Sequence, residues 1–283
     1  MAVNNLVFSI LTEDIPFDEI LRTRNVFRNM IEKLFSDNSI EKSDLKFFAT
    51  RNRSGFIAMD MEEKQPDYRE EVWGPPKAIC FDGAEEPTKA LSGFCKKAGI
   101  EIGEAEFHDK GGKPYAFFNK SIKGERSVDI LSRHLPELIS RLPYKKKMNF
   151  DGKQNYIRPI RRVLYLLGDK VIPLKIFDVC SSNTTLTAHF SREIKIDKAG
   201  DFIGQMEGNG VLIELHKRKD LIRKQLAALS GNGMNIELED DKLTYLAFLN
   251  ENPRVLAGSF PENFLDLPAE IIDQTLWKHQ KCV

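Results

Sequence analysis

The chain has no net charge to give away its partner: 42 Lys and Arg stand against 42 Asp and Glu in 283 residues. A balance of this kind excludes a general polyanion binder. The four cysteines, Cys80, Cys95, Cys180 and Cys282, are far apart and form no Cys-x-x-Cys pair, so they read as reduced thiols rather than a metal site or a disulfide framework. Five histidines are scattered, none in the His-Glu-x-x-His spacing of a zinc hydrolase. No apolar run approaches the roughly 20 residues that span a bilayer, and the start lacks the basic and apolar regions of a signal peptide. A cytoplasmic protein that does not enter the membrane is expected. There is no Gly-x-x-x-x-Gly-Lys-Ser/Thr loop, and Gly208-Asn209-Gly210 lacks the strand-loop-helix setting of a dinucleotide fingerprint. With no Gly-x-Ser-x-Gly elbow or Cys/His arrangement either, neither a catalytic residue nor a bound metal or cofactor is expected in this chain.

What the sequence does contain is one basic island. Between Arg141 and Arg162 lie Arg141, Lys145, Lys146, Lys147, Lys153, Arg158, Arg161 and Arg162 against a single acid, Asp151, a local charge of +7. The remainder therefore sums to −7. Such an island is either a solvated charged face or a seat for a phosphate backbone.

Composition, 41% hydrophobic and 30% charged, allows a buried core and about two domains. The pattern predicts an α+β fold, with a small N-terminal α+β unit over 1–64 and a linker or crossing loop over 65–76. A larger mixed domain with antiparallel hairpins follows over 77–283, divisible near 197. In the first unit, Leu6 to Leu11 reads as a strand, and Thr12-Glu13-Asp14 with Pro16 as a cap and helix start. An amphipathic helix runs to about Ser36, and strands cover Lys46 to Thr50 and Gly55 to Met61 around an Arg51-Asn52-Arg53-Ser54 turn. Trp73-Gly74-Pro75-Pro76 argues against a regular element.

In the larger domain, Thr88 caps a helix through Lys97 that Gly99 ends, and Gly111-Gly112 turns a hairpin between Glu104 to Asp109 and Tyr115 to Ile122. Ser127 to Ser140 is helical. The stretch from Arg158 to Leu167 fits either period, but Gly168-Asp169 between apolar runs favours a hairpin, with Pro173 at an edge or bulge. Beyond it a short helix covers Lys198 to Met206, a strand Val211 to Leu215 and a helix Lys217 to Leu229, before a Gly231-Asn232-Gly233 loop. Then come a helix at Lys242 to Leu249, a strand at Val255 to Phe260 and a helix from Pro268 to Gln280.

Ser181-Ser182-Asn183-Thr184-Thr185 with His189 follows the basic hairpin. It is either a loop that satisfies itself or a set of hydroxyl, amide and imidazole groups for phosphate and sugar contacts. Lys217-Arg218-Lys219 with Arg223 and Lys224 reads as a solvated helix face.

Several strings recur together and in order. They are the opening strand with Thr12-Glu13-Asp14-Ile15-Pro16; Gly74-Pro75-Pro76; Phe81-Asp82-Gly83 to Pro87-Thr88-Lys89-Ala90; Gly93-Phe94; Leu135-Pro136 to Leu142-Pro143; Arg158-Pro159-Ile160; Leu167-Gly168-Asp169; Val171-Ile172-Pro173; and Asn183-Thr184-Thr185 to His189-Phe190. After Arg218-Lys219, the set closes with Gly258-Ser259-Phe260, Phe264-Leu265, Leu267-Pro268 and His279-Gln280-Lys281. In these the chain resembles the N-terminal part of the β subunit of the bacterial heterotetrameric glycyl-tRNA synthetases. It departs from the pattern at Leu11, where a glycine is usual, at Arg51-Asn52-Arg53, which replaces a proline-containing turn, and at Cys282-Val283, which replaces an aromatic pair.

The resemblance implies a tRNA-binding and editing-like module that positions tRNA for glycine while an α subunit, using ATP and Mg, performs the ligation in an α2β2 assembly. It implies that the family's HD-type and anticodon-binding domains lie beyond this stretch, so that the chain is a fragment. Within that reading, Arg158, Arg161, Arg162, Lys145 and Lys147 are the expected backbone contacts, because guanidinium forks and flexible ammonium groups suit phosphates. Asn183, Thr184, Thr185 and His189 complete the expected set. The other reading is a structural scaffold whose RNA contacts lie only in the domains beyond.

Overall fold

Leu6 to Leu11 is apolar except for Ser9, which suits a strand covered on both faces, and this run lies near the centre of the main sheet. A computed structural model describes residues 2–149, 155–230 and 238–282. Asp151 and Lys153 of the basic island and the Gly231-Asn232-Gly233 loop lie outside the described residues.

In chain order the first elements are β1 (Val3–Thr12), α1 (Phe17–Asp37), β2 (Asp44–Ala49) and β3 (Arg53–Glu62). Next come β4 (Tyr68–Pro76), α2 (Lys89–Ala98), β5 (Glu106–Asp109), β6 (Pro114–Ile122) and α3 (Ser127–Ser140). Short strands β7 (Met148–Asn149) and β8 (Asn155–Tyr156) precede β9 (Ile160–Leu167), β10 (Lys170–Val171), β11 (Lys175–Ile176) and β12 (Val179–Ser182). Then follow β13 (Thr184–Leu186), β14 (Glu193–Lys195), α4 (Phe202–Gly208), α5 (Leu215–Ser230), α6 (Asp240–Leu249) and α7 (Ala269–Gln274).

The main sheet has the order β11-β12-β9-β1-β3-β2, with β10 added to β9. β1 pairs antiparallel with both β3 and β9, and β12 runs parallel to β9. Alternation sends Leu6, Phe8 and Ile10 into a core shared with α1 and α3. Val7, Ile57, Leu164 and Leu166 point into a second core closed by Ile194, Phe202, Met206 and Ile213.

The α+β class stands, but the division of the chain differs from the expectation. Met1–Glu63 and Ser127–Val283 form one unit, and Lys64–Arg126 forms another. The amide of Ser127 donates to Glu63 O at 2.9 Å, so the larger unit closes directly across the point where the smaller one is inserted. The expected linker 65–76 is largely β4, which pairs with β6 through Trp73 and rejoins it at Pro76 after an irregular step. Prolines that forbid a central strand are tolerated at this edge. Within the smaller unit, Leu91, Cys95, Cys80 and Ala116 form a core of their own.

Arg158 to Leu167 resolves as strand from Ile160, with Gly168 at φ +58° in the turn to β10, a conformation that suits glycine. Pro173 lies past the end of β10 instead of within it. The expected strands at 211–215 and 255–260 are not strands. Val211 and Leu212 donate to Met206 O and Glu251 O, and α5 begins at Leu215. Nor does a side chain cap α1, whose start is set by Pro16, leaving Glu13 and Asp14 for other work.

Candidate nucleic-acid interface

The antiparallel pairing of β1 with β3 and β9 brings the end of β1, the start of β3 and the start of β9 to one end of the sheet. At that end the register slips: Leu11 lies opposite Arg162 and Thr12 opposite Ile160, so Arg161 is the extra residue of a bulge. A bulge re-aims the residue it leaves unpaired, and here Arg161 is exposed between the half-buried Ile160 and Arg162.

Glu13, just past β1, pairs with Arg161 through Nε and through the outer guanidinium nitrogen. The Arg161 guanidinium also lies over the Phe190 ring, 5.8 Å from its centroid. Arg158 donates from Nε to Asp14 O at 2.9 Å, and Asp14 itself pairs with Arg51. Arg162 reaches Glu193 on β14 at 3.6 Å. Arg161 is still 53% exposed and Arg162 43%, so each pair is solvated and weak, and the guanidinium groups stay accessible.

His189 lies beside this row. It and Phe190 have φ of +60° and +57°, a left-handed pair that costs strain in residues other than glycine. The loop is held by its neighbours: Thr187 N donates to Arg192 O, and Arg192 N to Thr187 Oγ1 at 3.0 Å. His189, Asn250, Asn252 and Arg254 line a recess of about 380 Å³. A smaller hollow joins it to Arg51, Asn52 and Asp14.

Beneath the recess lies a polar cluster absent from the sequence reading. Arg53, with its side chain fully buried, donates from Nε to Glu251 Oε1 at 2.8 Å. Its other nitrogens reach Thr185 Oγ1 at 2.6 Å and the Leu186 carbonyl. Thr50 Oγ1 donates to the same Glu251 oxygen at 2.7 Å. Arg53 thus ties β13, which leads to His189, to the loop that carries Asn250 and Asn252.

The expected contact residues separate accordingly. Arg158, Arg161, Arg162 and His189 come together at the sheet end. Thr185 does not belong with them: it is 1% exposed and its hydroxyl serves Arg53. Asn183 accepts at its carbonyl from Ile196 N, and the Thr184 hydroxyl lies 3.3 Å from that of Ser182, so this stretch largely satisfies itself. Lys145 is anchored by its amide on Glu19 and Lys147 by Nζ on Ser140 O, and neither lines the recess.

The expected basic face of α5 is also corrected. Arg218 is 0% exposed and donates to Ala247 O, Leu212 O and Ile213 O at 2.6 Å each, while burial pulls its guanidinium down to about 10. Lys217 pairs with Glu207 and Glu214, and Lys219 and Arg223 with Asp240. Reading only the basic residues missed these acids, Glu214 one turn before Lys217 and Glu207 and Asp240 from more distant parts of the chain. Sequence reasoning also missed Asn250, Asn252 and Arg254, although Asn-Glu-Asn-Pro-Arg after a helix is a polar loop of the kind that carries function.

Among the described residues, no group of three or more His, Cys, Asp or Glu could hold a metal ion, and no helix is long and apolar enough to cross a membrane.

The model of the glycyl-tRNA synthetase beta subunit family matches residues 6–283. The chain belongs to that family. Among its relatives are glycine–tRNA ligase beta subunits of Clostridioides difficile (strain 630), 30% identical over 98% of this chain and 41% of the relative, and of Bacillus subtilis (strain 168), 30% identical over 99% and 42%. That of Natranaerobius thermophilus is 31% identical over 98% and 41%. The chain therefore spans about two fifths of the length of the curated relatives it matches.

Proposed function

We propose that this chain is the tRNA-binding and positioning part of a glycine–tRNA ligase β subunit. In this reading it supports attachment of glycine to tRNA by an α subunit that uses ATP and Mg, in an α2β2 assembly. The supporting observation is the sheet end itself. A bulged arginine, two flanking arginines and a strained histidine beside a polar recess offer charge and hydrogen-bond donors on one solvent-facing surface, as backbone and shape recognition of folded RNA requires. Membership of the family supplies the substrate class. Arg161 and Arg162 are the phosphate contacts, with Arg158, Lys145 and Lys147 adding local charge and His189 a donor at the recess; Asn183 and Thr184 are at most peripheral.

The pairing of Arg161 with Glu13 and of Arg162 with Glu193 favours one other reading, in which the row is a structural clasp or a subunit contact. Charge reversal separates the two. R161E/R162E should weaken tRNA binding by about tenfold or more and leave assembly with the α subunit intact. Loss of assembly with unchanged RNA affinity would make the row a protein interface.

A further inference from the structure

A separate cavity of the larger unit is a cleft of about 620 Å³ along β2, an outermost strand of the main sheet. Apart from the buried Thr50 and Arg53 it shares no lining residue with the sheet-end surface. Its rim carries Arg24 and Arg28 from α1, Lys46 from β2 and His216 from the start of α5, all exposed.

Arg24 and Arg28 are one helical turn apart and so on one face. Arg22, on the same helix, is paired with Glu19. Among the described residues neither Arg24 nor Arg28 has a carboxylate within 4 Å. Each is instead held over a ring, Arg24 at 5.7 Å from the Phe248 centroid and Arg28 at 5.3 Å from that of Phe47. The acid at the cleft, Glu214, is spent on Lys217, which with neighbouring cations keeps its carboxyl below the ordinary range. Three cationic side chains and His216 thus stand around a cleft of ligand size, the two arginines pre-oriented by aromatic faces.

We propose that this cleft is a second RNA site that takes a single-stranded segment of the bound RNA. Arg24 and Arg28 hold neighbouring phosphates, the half-buried Phe47 on the same face of the outermost strand offers an apolar wall to a base, and Lys46 and His216 extend the polar rim around the strand edge. Guanidinium forks match phosphate oxygens, and a charged groove with aromatic walls is how sequence-tolerant single-strand sites are built. The inference rests on the reading of the chain as an RNA-handling module. An acidic extended peptide added to the free strand edge is the competing occupant, and the test includes it.

The test is fluorescence anisotropy of the chain with an oligouridylate of about ten nucleotides, with polyglutamate of equal length and with intact tRNA. R24E/R28E should bind the oligouridylate about tenfold or more weakly, with a salt slope shallower by about 1.4, the share of two single-strand phosphates. R24K/R28K, which keeps the charge, should recover most of the affinity, and thermal melts confirm that both variants are folded. R161E/R162E should weaken tRNA binding and reduce oligouridylate binding less than R24E/R28E does. Equal oligouridylate binding by R24E/R28E, or polyglutamate binding as tight as RNA, would overturn the assignment. Loss of tRNA binding in R161E/R162E alongside an unaffected R24E/R28E would sink the cleft and leave the sheet-end surface standing. If oligouridylate binding depended on Arg24 and Arg28 while tRNA affinity ignored Arg161 and Arg162, the sheet-end reading would fail instead.

Discussion

Arg53 organises the sheet end without taking part in its exposed surface. A guanidinium out of contact with water is tolerable only where its donors are met, and Glu251, Thr185 and the Leu186 carbonyl meet them. Removing the carboxylate would strand that charge. E251A should lower unfolding free energy in urea by about 3 to 5 kcal/mol, and E251Q, which keeps an acceptor oxygen, should lose less. A loss below about 1 kcal/mol in E251A would mean that the cluster is not the bracket described here.

None of this was legible in the sequence, because Arg53 and Glu251 are 198 positions apart and each looks like an ordinary surface charge. Arg218 misled for the same reason: its sequence neighbours are basic, but its partners are carbonyls of Ala247, Leu212, Ile213 and Ala49. Thr185 was misplaced because a hydroxyl in a polar run gives no sign of pointing inward. Arg158, Arg161 and Arg162 stood out in the sequence because local charge is a local signal, and the fold brings them together.

At the scale of elements, patterns that depend on neighbours in sequence succeeded. The apolar run of β1, the helical period of α1 and α3, and Gly168-Asp169 between two apolar runs each gave the element observed. Elements decided by distant pairing did not. β4 hides behind its prolines but finds β6, whereas Val211 and Ile213 pack into the second core without joining a ladder.

The meeting of α3, β8 and β9 carries an expectation of its own. Tyr144, Tyr156 and Tyr165 are all buried, Tyr144 against Tyr156 with hydroxyl oxygens 3.5 Å apart, and burial raises the pKa of each. An acid whose folded pKa is raised contributes stability that is complete below its unfolded pKa and lost as pH rises toward the folded value. Thermal melts should therefore hold steady up to about pH 9.5 and fall above about pH 10, where only the unfolded tyrosines ionise. Y165F should soften that decline without cost at neutral pH, since among the described residues the Tyr165 hydroxyl has no hydrogen-bond partner. A decline as steep in Y165F as in the unaltered chain would contradict this account.

At the scale of the whole molecule, charge balance constrains how RNA can be held. Lys64–Arg126 has eleven basic and eleven acidic residues, and the chain as a whole is neutral, so neither unit supplies a large attractive field. Affinity must then come from a few local phosphate contacts, which release counterions in proportion to their number. The most direct test is a filter-binding titration of tRNA with this chain from about 50 to 200 mM salt. Phosphate contacts by Arg161 and Arg162, with Arg158, Lys145 and Lys147 adding local charge, predict a fall in affinity of roughly one to three decades, with the slope reduced in R161E/R162E. A flat response, or a slope unchanged by that substitution, would contradict the claim that this surface holds the RNA backbone.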